Sequence, residues 1–327
     1  DHPPTVEVVV RDDDGAARTN EWIDDWLTSR DDSRPFFLFI NYLEPHLEYR
    51  PPKAHAADYL PEGVTYEEAM EVPQNAWEYI AGATELTDEE FEILRALYRA
   101  EIAYLAERIR EVVAKFEAAG KWEDTLLVLT SDHGENIGEH CLMDHQYALY
   151  DTVLHVPLYV RGGPFEDGTV DDLVQLVDLP PTILDVLDVD APEARDQFQG
   201  LSFHPDSKET REYAVAEYLA PQPSMDALEK RVGELPDHVR TYDRALRAIR
   251  TDRYKYVRGS DGSRELYDLQ TDPGETTDLA DENDDVVSDL DAELDEWLDS
   301  FEHADYAETV SMSEDTKARL EDLGYLQ

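Results

Sequence analysis

The sequence predicts an α/β protein whose sheet is flanked by helices, with a smaller α+β unit at the C-terminal end. Three observations predict it. Two continuous apolar runs, Phe36–Ile40 and Leu126–Leu129, have strand length and no polar alternation, as strands buried on both faces do. A long stretch of helical spacing separates them. From about residue 242, short strand-like segments and turns replace that pattern.

Taken in order, Trp22–Leu27 reads as a short helix and Arg30–Arg34 as a polar turn. Pro35–Asn41 is the first buried strand, ending in the loop Tyr42–His46 ahead of Pro51-Pro52. Residues 53–85, punctuated by Pro and Gly, read as an excursion over the surface. From Asp88 to Ala119 the apolar residues Phe91, Leu94, Leu97, Ile102, Leu105, Ile109, Val112 and Phe116 recur at helical spacing, and Gly120 sits where a C-cap is expected. Thr125–Thr130 is a second strand, running directly into Ser131-Asp132-His133-Gly134. A third is expected at Val156–Val160, closed by Arg161-Gly162-Gly163-Pro164. Strand, long helix, strand is the grammar of a parallel sheet. In such sheets ligands bind beyond the carboxyl ends of strands. His46 and Asp132-His133 fall at such ends.

Val174–Leu187 reads as a helix entered through Asp178-Leu179-Pro180-Pro181-Thr182, and residues 190–240 are rich in polar residues and Pro. Residues 242–270 read as antiparallel strands turning at Gly259-Ser260-Asp261-Gly262, followed by an acidic helix and a terminal helix. The division placed on this pattern is residues 1–209 for the larger unit and 210–327 for the smaller.

With 327 residues and 41% hydrophobic content the chain can build a core. No apolar run approaches the ~20 residues of a membrane span. The formal net charge of −49 speaks against nucleic acid, which requires cationic side chains to displace counterions. Because the acids are spread over helix and strand patterns, the charge reads as salt adaptation of the halophilic, haloarchaeal kind, with a cytoplasmic location expected. The single cysteine, Cys141, excludes an internal disulfide and a Cys-based zinc site.

The densest chemistry lies in Thr130-Ser131-Asp132-His133-Gly134-Glu135, followed by Gly138-Glu139-His140 and Asp144-His145. A carboxylate and an imidazole side by side at a strand end can reach one divalent cation, and the glycine lets the backbone turn away. Folding back of the Gly-containing loop would bring His145 near. Capping of a following helix is the equal alternative for Asp132 and His133. A Walker A loop, a dinucleotide fingerprint, HExxH and GxSxG are all absent. The acidic clusters Asp12–Gly15 and Asp268–Glu275 miss the EF-hand register and read as solvated turns.

The string Thr130–His140 resembles the second metal-binding segment of sulfatases in the alkaline phosphatase-like superfamily. Four further stretches resemble the same family in the same order. They are Pro35–His46 with Tyr49 and Pro51-Pro52, Tyr150–Val160, Asp178–Leu184, and Arg247–Thr251 with Tyr254–Tyr256 and Glu265–Pro273. The similarity runs from about residue 20 to the end, where Leu320–Leu326 resembles a family terminus.

The resemblance implies an alkaline phosphatase-like sheet that lacks its opening strands. It implies hydrolysis of a small-molecule or glycan sulfate ester. Asp132 and His133 would ligate one divalent cation, Ca²⁺ by family pattern. Mn²⁺, Mg²⁺ or Zn²⁺ are admitted because His stands where many members have Asn. His46 would contact the oxyanion or leaving group. His145, where many members have Lys, would hold the oxyanion or donate a proton. His140 would act directly on the site or, equally, from behind the ligands or by packing. The family's Cys- or Ser-x-Pro/Ala-x-Arg motif, whose first residue becomes formylglycine through a maturation enzyme, is absent, as is its Asp pair. The nucleophile is therefore expected from outside this chain, which alone is expected to be inactive with an exposed sheet edge. Asp-His also resembles phosphonate monoester hydrolases and phosphoglycerol transferases, so phosphodiester chemistry stays open. A non-catalytic acidic cation-binding remnant is the reading of another class.

Overall fold

The computed structural model describes residues 13–300. The terminal helix expected near the end lies outside them. Helix α1 (Ala16–Ser29) is followed by three short helices, α2 (Lys53–Ala56), α3 (Tyr66–Ala69) and α4 (Ala76–Ile80), and by the long α5 (Asp88–Ala118). Thr87 opens α5 with a capping box, its hydroxyl accepting from the Glu90 amide while the Glu90 carboxylate accepts from Thr87 N. Gly120 follows its end at φ +65°, the left-handed position that favours glycine.

Strand β1 (Leu127–Thr130) pairs with β4 (Leu158–Arg161), and between them lie the two-residue strands β2 (Asn136–Ile137) and β3 (Met143–Asp144) and helix α6 (Asp151–Leu154). The β1–β4 ladder is antiparallel, with Leu127 opposite Arg161 and Thr130 opposite Leu158. The parallel grammar rests on the run at 35–41, α5 and β1, so the direction of this ladder is new from the structure.

The expected first strand is corrected. Residues 36–40 are extended but have no strand partner among the described residues. Phe36, Leu38 and Ile40 pack against Ile23, Val112 and Phe116, while Phe37 and Phe39 remain 78% and 77% exposed. One face is covered by α1 and α5, and no described element covers the other. Residues 53–85 are not a surface excursion either. Tyr49, Ala56, Ala69 and Ala76 are buried against Leu94, Leu97 and Ala100 of α5, so the short helices form one wall of a core.

Beyond α7 (Leu179–Val186), whose first turn takes Pro180 and Pro181, comes α8 (Pro192–Arg195). Strand β5 (Ala214–Tyr218), helices α9 (Met225–Val232) and α10 (Asp237–Arg240), strands β6 (Leu246–Arg250), β7 (Tyr254–Gly259) and β8 (Arg264–Asp268), and helix α11 (Asp284–Asp299) complete the order. The four strands form one antiparallel sheet, β5-β6-β7-β8, turning at Gly259–Gly262 as expected. Strand alternation gives it two working faces. Ile249, Tyr256 and Leu266 bury against Val287 and Leu294 of α11, whereas Leu246, Ala248 and Val257 bury against Leu149, with Leu154 beside them.

Lys255 lies on that second face, fully buried. Its ammonium is 2.8 Å from Asp151 Oδ1 and touches the Glu275 carboxylate, and Glu275 accepts from the Asp151 amide at 2.6 Å. Burial pushes the Asp151 carboxyl up, but Lys255 and Arg250 outweigh it and hold it below the usual range. The segment Asp268–Glu275 is a solvated turn only in its middle: Gln270, Thr271, Pro273 and Gly274 are exposed, whereas Asp268 and Glu275 are buried.

Candidate active site

β1 ends at Thr130, and the next residues form a loop pressed onto α6. Gly134 N donates to Val153 O at 2.7 Å and Glu135 N to Thr152 O at 2.9 Å. A Cβ on Gly134 would stand 2.1 Å from Thr152 O, so this approach admits only glycine. No helix begins at Asp132, which removes the capping alternative. The chain instead enters the β2–β3 hairpin, where Asn136 faces Asp144 and Ile137 faces Met143.

Asn136 is fully buried and ties the hairpin shut. Its amide donates to Asp144 O at 2.9 Å, and its oxygen accepts from the Thr152 hydroxyl at 2.6 Å. Closing the hairpin returns the chain beside its starting point, so His133 and His145 stack at 4.0 Å between ring centroids. His46 arrives from the loop after the extended run, 6.2 Å from the His133 ring and 5.6 Å from the His145 ring. One ring nitrogen from each of the three lies within 4.8 Å of those of the other two.

The rings are held from behind. His46 Nδ1 is 2.7 Å from Leu47 O and His133 Nδ1 is 2.8 Å from Gly134 O, while His145 Nδ1 rests on the Asp144 carboxylate. Burial pushes the Asp144 carboxyl up, but its hydrogen bond and ion pair with His145 prevail and hold it below the usual range. Glu135 behaves oppositely. Burial, then the charge of Asp144, pushes it up to about 9.

Asp132 lies outside the three-histidine group. Its side chain is 66% exposed, with Oδ1 4.0 Å from His133 Nε2. A carboxylate oxygen and an imidazole nitrogen at that separation suit a divalent cation in donor type. His140 is elsewhere. Its ring stacks on Tyr150 at 3.5 Å, bordering a cavity of about 50 Å³ lined also by Tyr242, Arg244 and Glu265, and burial pushes its pKa down. Among the remaining histidines, His55 pairs with Glu107 at 2.9 Å, and His2 and His303 lie outside the described residues.

Sequence reasoning assigned no part to Asn136, Thr152 or Asp151, and none to Glu135 or Asp144 beyond their place in the string. For Asn136 the available signal was a small polar side chain three residues from His133. Its partners lie across a hairpin that no local pattern announces.

The sequence model of the sulfatase family matches residues 3–189. The chain is 27% identical over 288 residues to arylsulfatase K of Bos taurus, covering 80% of this chain and 51% of that protein. It therefore spans about half the length of the curated relatives it matches. Its fold resembles the phosphonate monoester hydrolase of Agrobacterium radiobacter, with TM-score 0.67, 22% identity, and 87% of this chain and 60% of that one covered. It also resembles a chain solved in complex with its substrate D-glucosamine-2-N,6-O-disulfate, with TM-score 0.62, 18% identity, and 88% and 69% covered.

Proposed function

Because the chain belongs to the sulfatase family, we propose that it forms the larger part of a sulfuric-ester hydrolase centre acting on a small-molecule or glycan sulfate. The observation that carries this is the convergence of His46, His133 and His145 from three separate segments. Sulfatases use a divalent cation. Here Asp132 and His133 would hold it, where it supplies positive charge against the ester oxygens.

The chain's own groups would do the rest. His145, oriented through Asp144, faces the oxyanion and can hold it by an N–H or pass a proton to the leaving alcohol. His46, oriented through Leu47 O, does the same. The nucleophile is proposed to be a hydrated formylglycine contributed by sequence outside these 327 residues, which implies a maturation enzyme. It would attack sulfur as the alcohol leaves. The proposed division into residues 1–209 and 210–327 draws support from the antiparallel sheet that starts at Ala214. The charge of −49 supports a salt-rich setting, with the cytoplasm of a halophile as the proposed location.

A second reading, phosphodiester or phosphonate monoester hydrolysis, is favoured by the Asp132-His133 pair together with the phosphonate hydrolase likeness. Turnover of an aryl sulfate against a bis-aryl phosphate by the full-length protein separates them. Faster sulfate turnover, lowered ~10²-fold or more by His145→Ala, is expected. Preference for the phosphodiester moves the assignment, and turnover of neither would leave a cation-binding remnant.

A further inference from the structure

The loop that carries Asp132 and His133 is held by α6, and α6 is held from the C-terminal sheet. A single helical turn has no stability of its own, so its position is set by what grips it. Three successive residues of α6 face two ways. Thr152 O and Val153 O accept from Glu135 N at 2.9 Å and Gly134 N at 2.7 Å, and the Thr152 hydroxyl donates to Asn136 at 2.6 Å. Asp151 faces the sheet instead, with Lys255 Nζ of β7 2.8 Å from its Oδ1 and Arg250 Nε of β6 3.4 Å from its Oδ2. Glu275 accepts from the Asp151 amide at 2.6 Å, and does so from a left-handed backbone, φ +53°, that residues with a side chain seldom adopt. Leu149 and Leu154 also pack on the sheet, against Leu246, Ala248 and Val257. Apolar contacts of that kind allow sliding. A buried ion pair adds little net stability over apolar groups of the same volume, but its charge-assisted bonds have a fixed length and direction.

We propose that Lys255 is a positioning residue for the active-site loop. Through Asp151 it sets α6, and α6 sets the backbone of Gly134–Asn136 on which Asp132 and His133 stand. The proposal rests on the hydrolase reading for the site it serves, and it gives the C-terminal sheet a part in that site. His133 Nδ1 lies 2.8 Å from Gly134 O, so a shift of that peptide turns the ring. A misplacement of about 1 Å at a reacting centre can cost ~100-fold in rate.

The test separates position from stability with three variants. Lys255→Met breaks the link at one end. Lys255→Met combined with Asp151→Asn and Glu275→Gln breaks it without stranding a charge. Leu294→Ala, fully buried in α11 against the other face of the sheet, weakens the same unit and leaves the link intact. Amide hydrogen exchange of the 327-residue chain is read at Gly134–Asn136, with the middle of α5 as internal reference. Exchange at the loop relative to α5 should quicken at least ~10-fold in both Lys255 variants and stay at the parental rate in Leu294→Ala. In the full-length protein, well below each melting temperature, kcat for an aryl sulfate should fall ~10- to 100-fold in the same two variants with KM within about threefold. Loop exchange that keeps the parental rate in the Lys255 variants, or that rises equally in Leu294→Ala, overturns the proposal. So does a triple variant that regains the parental kcat. A parent that hydrolyses neither ester fails the hydrolase reading, and the exchange measurement still decides whether Lys255 holds the loop.

Discussion

His133 and His145 stand twelve positions apart in sequence, yet their rings stack at 4.0 Å with planes 29° apart. The stacking is made by the hairpin between them, and the hairpin is held by Asn136. Removing that side chain by Asn136→Ala leaves Asp144 O and the Thr152 hydroxyl without partners in a buried place. The expected cost is ~1–3 kcal/mol, read as a fall of about 1.5–4.5 °C in melting temperature for a chain of this length. A melting temperature within a degree of the parent would show that the clamp is dispensable.

Lys255 is the buried cation of an acid–base knot. In Lys255→Met the carboxylates of Asp151 and Glu275 are left facing each other without it. Loss of about 3–5 kcal/mol is expected from breaking such a pair on one side. Neutralising all three, with Lys255→Met, Asp151→Asn and Glu275→Gln, should recover most of it. Urea unfolding of the parent, the single and the triple variant measures both numbers, and a triple variant weaker than the single one contradicts the account.

Glu101 is 1% exposed. Burial, helped by the charges of Asp14 and Glu44, pushes its carboxyl from 4.5 up to about 8. Between those values the folded state keeps a proton that the unfolded state gives up. Stability from this group is therefore complete below pH 4.5 and declines as pH rises through about 8, by at most ~1.4 kcal/mol per pH unit. In Glu101→Gln that contribution to the decline should be gone. Parallel urea midpoints across the pH range for the parent and the variant would refute it.

The net charge of −49 makes stability a function of salt. Raising KCl from 0.1 to 2 M should lift the melting temperature by ~10 °C or more, as screening removes self-repulsion. A flat profile would mean that the acids are compensated locally.

Legibility in the sequence followed the range of the interactions. Helix α5 and its closing Gly120 were readable because 3.6-residue spacing and a left-handed cap are local. The β6–β8 strands and their turn were readable for the same reason. The run at 36–40 was misread as buried on both faces because composition cannot say whether a second covering element exists. Phe37 and Phe39 show that none does among the described residues. At the site, Asp132, His133, His46 and His145 were found from their places at strand ends and in the Gly-containing loop, and their roles came from family resemblance. Their mutual distances depended on Asn136, Thr152 and the close approach of Gly134 to α6. Each of those acts across a gap that local patterns do not span.

The buried Lys255 has a consequence for inheritance. Asp151 belongs to the segment that follows the histidine cluster, whereas Lys255 and Glu275 belong to the C-terminal sheet and its next loop. A recombination event that replaced the sheet with one lacking the cation would strand the acid, and one that replaced the acid would strand the cation. Relatives should accordingly keep all three charges or lose all three together, and chimaeras joined near residue 209 should be viable only between parents that match at these positions.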